Sequence, residues 1–167
     1  ICLVIWLREQ RSEVSWLLIN RMPPRSERCR FNMCSMTAQE IKTLLQLQPH
    51  PCEGGWFRQT YVSAARYPAP QGERPAATAI YYLLETATFS EMHVLASDEV
   101  FHFYLGDPVE MLQLWPSGRS SLVTLGPDLA AGHQVQVVVP AGVWQGTRLI
   151  GDGQAALLGC TVSPFFD

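Results

Sequence analysis

The sequence predicts an all-β domain, a sandwich or barrel entered through one short helix. Short runs rich in Val, Ile, Thr, Tyr and Phe recur along the chain, punctuated at regular intervals by Gly and Pro. The long helical patterns that separate the strands of a parallel α/β sheet are missing. So are a Gly-rich phosphate loop, a GxSxG elbow, an HExxH helix and any repeat at solenoid periods.

Residues 1 to 35 read as a poorly ordered extension outside the domain. Ile1-Cys-Leu-Val-Ile-Trp-Leu7 is apolar but too short to span a bilayer, and Arg8, Glu9, Arg11 and Glu13 follow it at once. It begins without Met, as a fragment would, and no small-residue cleavage site follows as in a signal peptide. A second apolar piece, Trp16-Leu-Leu-Ile19, ends at Asn20.

The domain is expected over residues 36 to 167. Thr37-Ala-Gln-Glu40 is a capping box, in which the Thr37 hydroxyl caps the first turn and Glu40 reaches back to the cap amide. Ile41, Leu44, Leu45 and Leu47 then supply one apolar helix face, and Pro49-His50-Pro51 ends the helix by breaking its amide ladder. Gly54-Gly55 makes a tight turn, or admits a close neighbour, before a strand from Trp56 to Tyr61. Residues 67 to 76 read as a loop. Further strands are expected over residues 77–84, 109–115, 121–125, 134–139 and 155–162, with turns at Asp107-Pro108, Pro116 to Gly118, Gly126 to Asp128 and Gly151 to Gly153.

Composition narrows the partners. The chain has 167 residues, 47% hydrophobic and 16% charged, enough for one domain with an ordinary core. A net charge of −3 and a pI near 5.8 argue against nucleic acid. Arg21, Arg25, Arg28 and Arg30 lie among Pro23, Pro24 and Ser26, which reads as a solvated linker. The five cysteines (Cys2, Cys29, Cys34, Cys52, Cys160) are odd in number with no CxxC pair, so reduced thiols are expected, with Cys160 in the core. The expected localisation is by default cytoplasmic, with no membrane partner.

The stretch His93 to Gly106 carries the chemistry. Ionisable groups inside an apolar, aromatic, β-favouring run are costly to bury unless paired or liganded. Alternation puts Glu99, Phe101 and Phe103 on one strand face and Val100, His102 and Tyr104 on the other, unless a bulge shifts the phase. A hairpin around Ala96-Ser97-Asp98 would bring His93 and Glu99 together across two strands, with Asp98 capping the turn. An imidazole beside a carboxylate suits proton transfer, since the carboxylate raises its pKa and fixes its tautomer. The plainer reading is that the pair satisfies polar atoms inside a barrel.

Two segments resemble the paired motifs of the cupin superfamily. His93, Glu99 and Gly106 fall on the first motif, with Leu95 replacing its second His; Pro140, Gly142 and Gln145 fall on the second, with Gln145 in place of a His. The order of Pro49 to Gly55, Thr78 to Tyr82, Ser97 to Pro108, Val138 to Gln145 and Gly159 to Val162 resembles one cupin-type family whose domain has no assigned reaction. The resemblance implies an RmlC-like jelly-roll barrel with a pocket inside, usually a homodimer, and a C-terminus truncated by a few residues. Its nearest analogy, sugar-nucleotide epimerases of the cupin type, is one of fold.

The leading expectation is therefore a sugar or carbonyl isomerase or epimerase, with His93 as base, Glu99 as its orienting partner and His102 as a third catalytic group. Arg58, Tyr61, Trp144 and Gln145 are the expected substrate contacts. The cofactor is expected to be none or a weakly bound divalent metal on His93, Glu99 and Gln145. The cupin metal set of three imidazoles and a carboxylate has lost two of its imidazoles, and His102 restores one only if a bulge turns it inward. The rival readings are a non-catalytic ligand-binding protein using the same pocket and a metal-dependent cupin enzyme.

Overall fold

A computed structural model of the chain describes residues 36–68 and 72–164; the expectations for residues 1–35 and for the chain's last residues lie outside them. Helix α1 (Ala38–Leu45) is followed by β1 (Gln48–Pro49), β2 (Trp56–Val62), β3 (Arg66–Tyr67), β4 (Arg74–Pro75), β5 (Thr78–Glu85) and β6 (Ser90–Val94). Then come β7 (Asp98–Gly106), β8 (Val109–Leu114), β9 (Ser120–Leu125), β10 (Gln136–Val139), β11 (Trp144–Leu149) and β12 (Ala155–Ser163). A six-stranded sheet runs β1-β2-β5-β12-β7-β10, and a four-stranded sheet runs β6-β11-β8-β9. The pairs within both are antiparallel. β3 and β4 pair separately in the stretch read as a loop.

The expected barrel is a jelly-roll sandwich. Among the described residues one parallel bridge, Leu125 to Gln134, is what joins the edges of the two sheets, so they stay face to face without closing. Period-two burial fills the space between them. Tyr82 and Leu84 from β5, Phe101 from β7, Met111 from β8, Val139 from β10 and Leu158 from β12 form the inner core.

The helix covers part of the other face of the six-stranded sheet. Its capping box is formed as the sequence spacing requires: Glu40 N donates to Thr37 Oγ1 (3.2 Å), and Thr37 N donates to Glu40 Oε2 (2.8 Å). Ile41 and Leu47 pack on Leu83, Ala155 and Leu157. Leu44, expected on this face, is 67% exposed, because Ala38, Ile41 and Leu45 already complete the stripe an eight-residue helix can bury. Glu85 anchors the helix to the sheet, accepting from Trp56 Nε1 (2.8 Å) and from Lys42 Nζ (3.1 Å), which also lies 4.2 Å above the Trp56 ring.

β6 and β7 do not form a hairpin. β6 pairs with β11 and β7 with β12 and β10, so residues 95–97 carry the chain from one sheet to the other. Asp98 does not cap that turn; its Oδ1 accepts from Ala141 N (2.8 Å) and ties down the turn before β11.

Packing of α1 outweighs its cap. Ile41→Ala, at a site 2% exposed, is expected to destabilise by about 2–5 kcal/mol, and Thr37→Ala by about 1 kcal/mol. Chemical denaturation of both variants measures this, and equal losses would show that α1 is not held by its buried face.

Candidate functional site

Two strands and one loop bring four ionisable side chains to one end of the sandwich, and a third strand adds an amide. His93 comes from β6 in the four-stranded sheet and Glu99 from β7 in the six-stranded sheet. Their facing atoms, His93 Nε2 and Glu99 Oε2, are 4.0 Å apart. They meet across the sandwich rather than across adjacent strands. Gln145 from β11, paired in register with His93, donates from Nε2 to the same Glu99 oxygen (2.5 Å). Glu99 is 5% exposed and Gln145 1%, so the amide is the carboxyl's main answer to burial. Gln145 Oε1 is buried and accepts no hydrogen bond among the described residues.

The loop before β2 adds His50 and Glu53, which sequence reasoning missed. Glu53 Oε1 lies 3.8 Å from His93 Nε2, and Glu53 Oε2 lies 3.9 Å from His50 Nε2. Backbone bonds lock this loop: His50 N donates to Gly55 O (3.0 Å) and Glu91 N to Glu53 O (2.8 Å). Gly54 and Gly55 adopt φ of +82° and +68°, and a Cβ on Gly54 would lie 2.4 Å from the Phe89 carbonyl oxygen. The paired glycines thus let the loop close onto the strand that carries His93. The signal for the two missed residues was a His and a Glu three apart, bracketed by Pro and Gly-Gly.

Backbone groups assign the tautomers. His50 Nδ1 accepts from Glu53 N (2.9 Å) and Cys52 N (3.4 Å), so its proton sits on Nε2. His93 Nδ1 lies 2.8 Å from the Glu91 carbonyl oxygen and donates to it, so Nε2 is the nitrogen that gains and loses a proton. Glu91, rather than Glu99, therefore orients the His93 ring.

The electrostatics follow from burial and these partners. Burial opposes charge on His93, but the Glu99 carboxyl, the Glu91 carbonyl and Glu53 outweigh it, and its pKa is held above the ordinary value. Burial and the nearby His93 push His50 down despite Glu99. Burial raises Glu53, with Glu99 adding to the shift and His93 opposing it. Burial likewise raises Cys160 and Tyr82, whose hydroxyl donates to Gly54 O (3.0 Å).

His50, Glu53, Glu99, Tyr82 and Cys160 border a cavity of about 70 Å³, and His93 stands behind Glu53 and Glu99, outside its lining. Its polar lining includes His50, Glu53, Gln59, Thr78, Ser90 and Glu99; Phe57, Ile80, Tyr82, Phe101, Cys160 and Val162 form its apolar side.

Four expected site residues face elsewhere. His102 lies on the opposite face of β7 from Glu99, within 3.3 Å of Gln136 Nε2 and stacked on Tyr104. The β7 register shift falls after Phe103, too late to turn His102 inward. Arg58 lies over the Tyr81 ring at 5.4 Å, on the outer face of the six-stranded sheet, and Tyr61 is 52% exposed beyond a bulge in β2. Trp144 precedes the inward Gln145 by one residue and so points outward, 48% exposed.

The residues do not fit a cupin-type metal. Gln145 turns its NH₂ toward Glu99, and His50 carries a hydrogen rather than a lone pair on Nε2. That leaves one imidazole with carboxyls as donors. Among the described residues no group of three or more His, Cys, Asp or Glu is set to hold an ion.

Comparison with known proteins fits the jelly roll. No curated protein matches the chain. A hypothetical protein from Leishmania major is 32% identical, with 79% of this chain and 84% of that one covered and a TM-score of 0.73. A protein from Shewanella oneidensis is 36% identical over 79% of this chain and 80% of its own, with a TM-score of 0.72. Bacillus subtilis oxalate decarboxylase shares the fold at 12% identity, with a TM-score of 0.50, 72% of this chain and 28% of that one. No helix among the described residues is long and apolar enough to cross a membrane. The family described as Cupin superfamily (DUF985) matches residues 39–167, and the chain belongs to it.

Proposed function

We propose that the pocket is a proton-transfer site for a sugar-like or carbonyl compound, and that the protein is an isomerase or epimerase. The observation that carries this reading is the two-sided setting of His93. Its Nδ1 is tied to a backbone carbonyl, while its Nε2 stands within 4.0 Å of two carboxyls, Glu53 and Glu99, both of which line the cavity. A base needs a fixed tautomer and an exposed lone pair, and its conjugate acid needs a nearby negative charge. Both are present. His93 Nε2 removes a proton from carbon, Glu99 and Glu53 stabilise the imidazolium, and Gln145 holds Glu99 in place.

We also infer that the protein is a homodimer, as the family resemblance implies, and that it pairs through the outer face of the four-stranded sheet. Val94, Trp144 and Leu114 form one exposed row there, and Leu112 with Leu122 forms the next, beside Phe89 and Met92. A contiguous apolar face of this kind is commonly an interface, and a two-fold axis lets it cover itself.

Incorporation of solvent deuterium into a panel of aldoses and ketoses, followed by NMR, tests the activity. His93→Ala is expected to lower it about 10²–10⁴-fold. Saturable binding without exchange would instead establish the non-catalytic reading. The raised pKa of His93 has a defined sign in stability: the contribution is full below the unfolded value of 6.5 and disappears as pH rises through the higher folded value. The stability gap between wild type and His93→Gln should therefore narrow as pH rises from below 6.5 through the higher folded value; a constant gap would refute the pairing. Light scattering should give twice the chain mass of 18.7 kDa, reduced to one chain by Leu122→Glu.

A further inference from the structure

The cavity's lining carries a chemical preference of its own. Two carboxyls, those of Glu53 and Glu99, share one small space. Like charges held this close repel, and burial leaves little water to separate them. His93, behind them, brings at most one positive charge, and burial favours the neutral form of His50. The enclosure is short of one cation.

Ser90 adds an independent sign. It is 4% exposed, begins β6 opposite the inward Thr147 and lines the cavity. Its Oγ makes no hydrogen bond among the described residues. It lies close enough to the Tyr82 hydroxyl to oppose the effect of burial there, but Tyr82 has given its hydrogen to Gly54 O. A buried hydroxyl with an unused lone pair costs stability unless a group in the cavity meets it.

We propose that the cavity is a binding site for a primary alkylammonium group, whose N–H donors meet Glu53, Glu99 and Ser90 Oγ while its carbon rests on the apolar wall. Binding of this kind needs no proton transfer and holds without it. An ammonium has donors and no acceptor, so a side lined with acceptors is what it requires. A carboxylate offers about four lone-pair sites, and Glu99 is shown giving one to Gln145 Nε2. The Glu53 oxygens lie 3.8 and 3.9 Å from the His93 and His50 Nε2 atoms, beyond hydrogen-bond length, so neither imidazole takes their lone pairs. Phe57, Ile80, Phe101 and Val162 supply the opposite wall. A bare metal ion would find no ligand on that side, whereas a methyl or methylene group packs against it, and aromatic faces favour a cation.

Size limits the occupant. The cavity of about 70 Å³ is under half of the roughly 150 Å³ that admits benzene, which leaves room for about two or three non-hydrogen atoms. Methylammonium and ethylammonium fit whole. Gln59 lines the cavity and is itself exposed, marking the side that faces solvent. The terminal group of a longer amine enters there.

Ligand-observed NMR titration of methylammonium chloride into the full chain, at neutral pH and constant ionic strength, tests the assignment. Saturable binding is expected. Methanol, a neutral molecule of the same size, should bind far more weakly, and tetramethylammonium, which is too large for the cavity, should not compete. Glu53→Gln should weaken binding about 30-fold or more, and Ser90→Ala about tenfold. The Ser90 variant only deletes an unbonded hydroxyl, so it keeps the test decisive even if the loop rearranges in the Glu53 variant; circular dichroism confirms that both fold. Absence of saturable methylammonium binding overturns the site. Equal binding of methanol, or displacement by tetramethylammonium or potassium, overturns recognition of a primary ammonium. Unchanged affinity in either variant places the ligand elsewhere and overturns the assignment.

Discussion

A carboxyl buried between two β-sheets must be answered from the opposite sheet, and the arrangement at this end of the sandwich follows from that constraint. Glu99 belongs to the inward row of β7, which it shares with Phe101, and it is almost fully enclosed. Its partners on either side in the six-stranded sheet are apolar or backbone, so they cannot compensate its charge. Gln145 and His93, paired in register on β11 and β6, reach it from across the core. Removing Glu99 alone would leave the Gln145 amide buried without its acceptor, a greater loss than the net worth of their bond.

The loop from Pro49 to Gly55 supplies what the sheets cannot. A strand presents side chains at alternate positions, and the inward rows near Glu99 are already filled by Phe57, Ile80, Tyr82 and Cys160. A loop escapes that periodicity. With two glycines at positive φ it folds against the start of β6, and its own amides hold the His50 ring. Two histidines thereby acquire opposite tautomers from local backbone geometry, and the Glu53 carboxyl lies between them.

The same sandwich divides its outer surfaces by chemistry. Helix α1 covers one part of the six-stranded sheet, and Arg58, Tyr81, Tyr104 and His102 occupy the remainder. The outer face of the four-stranded sheet carries exposed apolar rows beside the Arg148–Glu110 ion pair. Arg58, Tyr61, His102 and Trp144, which looked like site residues in the sequence, are on these outer faces, with Arg58 over Tyr81 and His102 against Tyr104 rather than around the cavity.

The sequence by itself determined the longer strands β2, β5, β8, β9, β10 and β12, the capped helix at Thr37 to Glu40 and the face that Glu99 shares with Phe101, because each depends on periodicity or on neighbours within four residues; β1, β3, β4 and β11 were not legible in it. The cupin motifs also marked His93, Glu99 and Gln145. Only the tertiary structure decided that β6 and β7 belong to different sheets, that the sandwich stays open, and that His50 and Glu53 join the site. Those outcomes depend on which strands pair over separations of many residues, and local pattern does not encode this. Parity explains the misplaced residues: Trp144 is one position from an inward side chain, and a bulge in β2 separates Tyr61 from the inward row of Phe57 and Gln59. A single step along a strand reverses a side chain, so a contact read from proximity in sequence is decided only when the sheet's register is known.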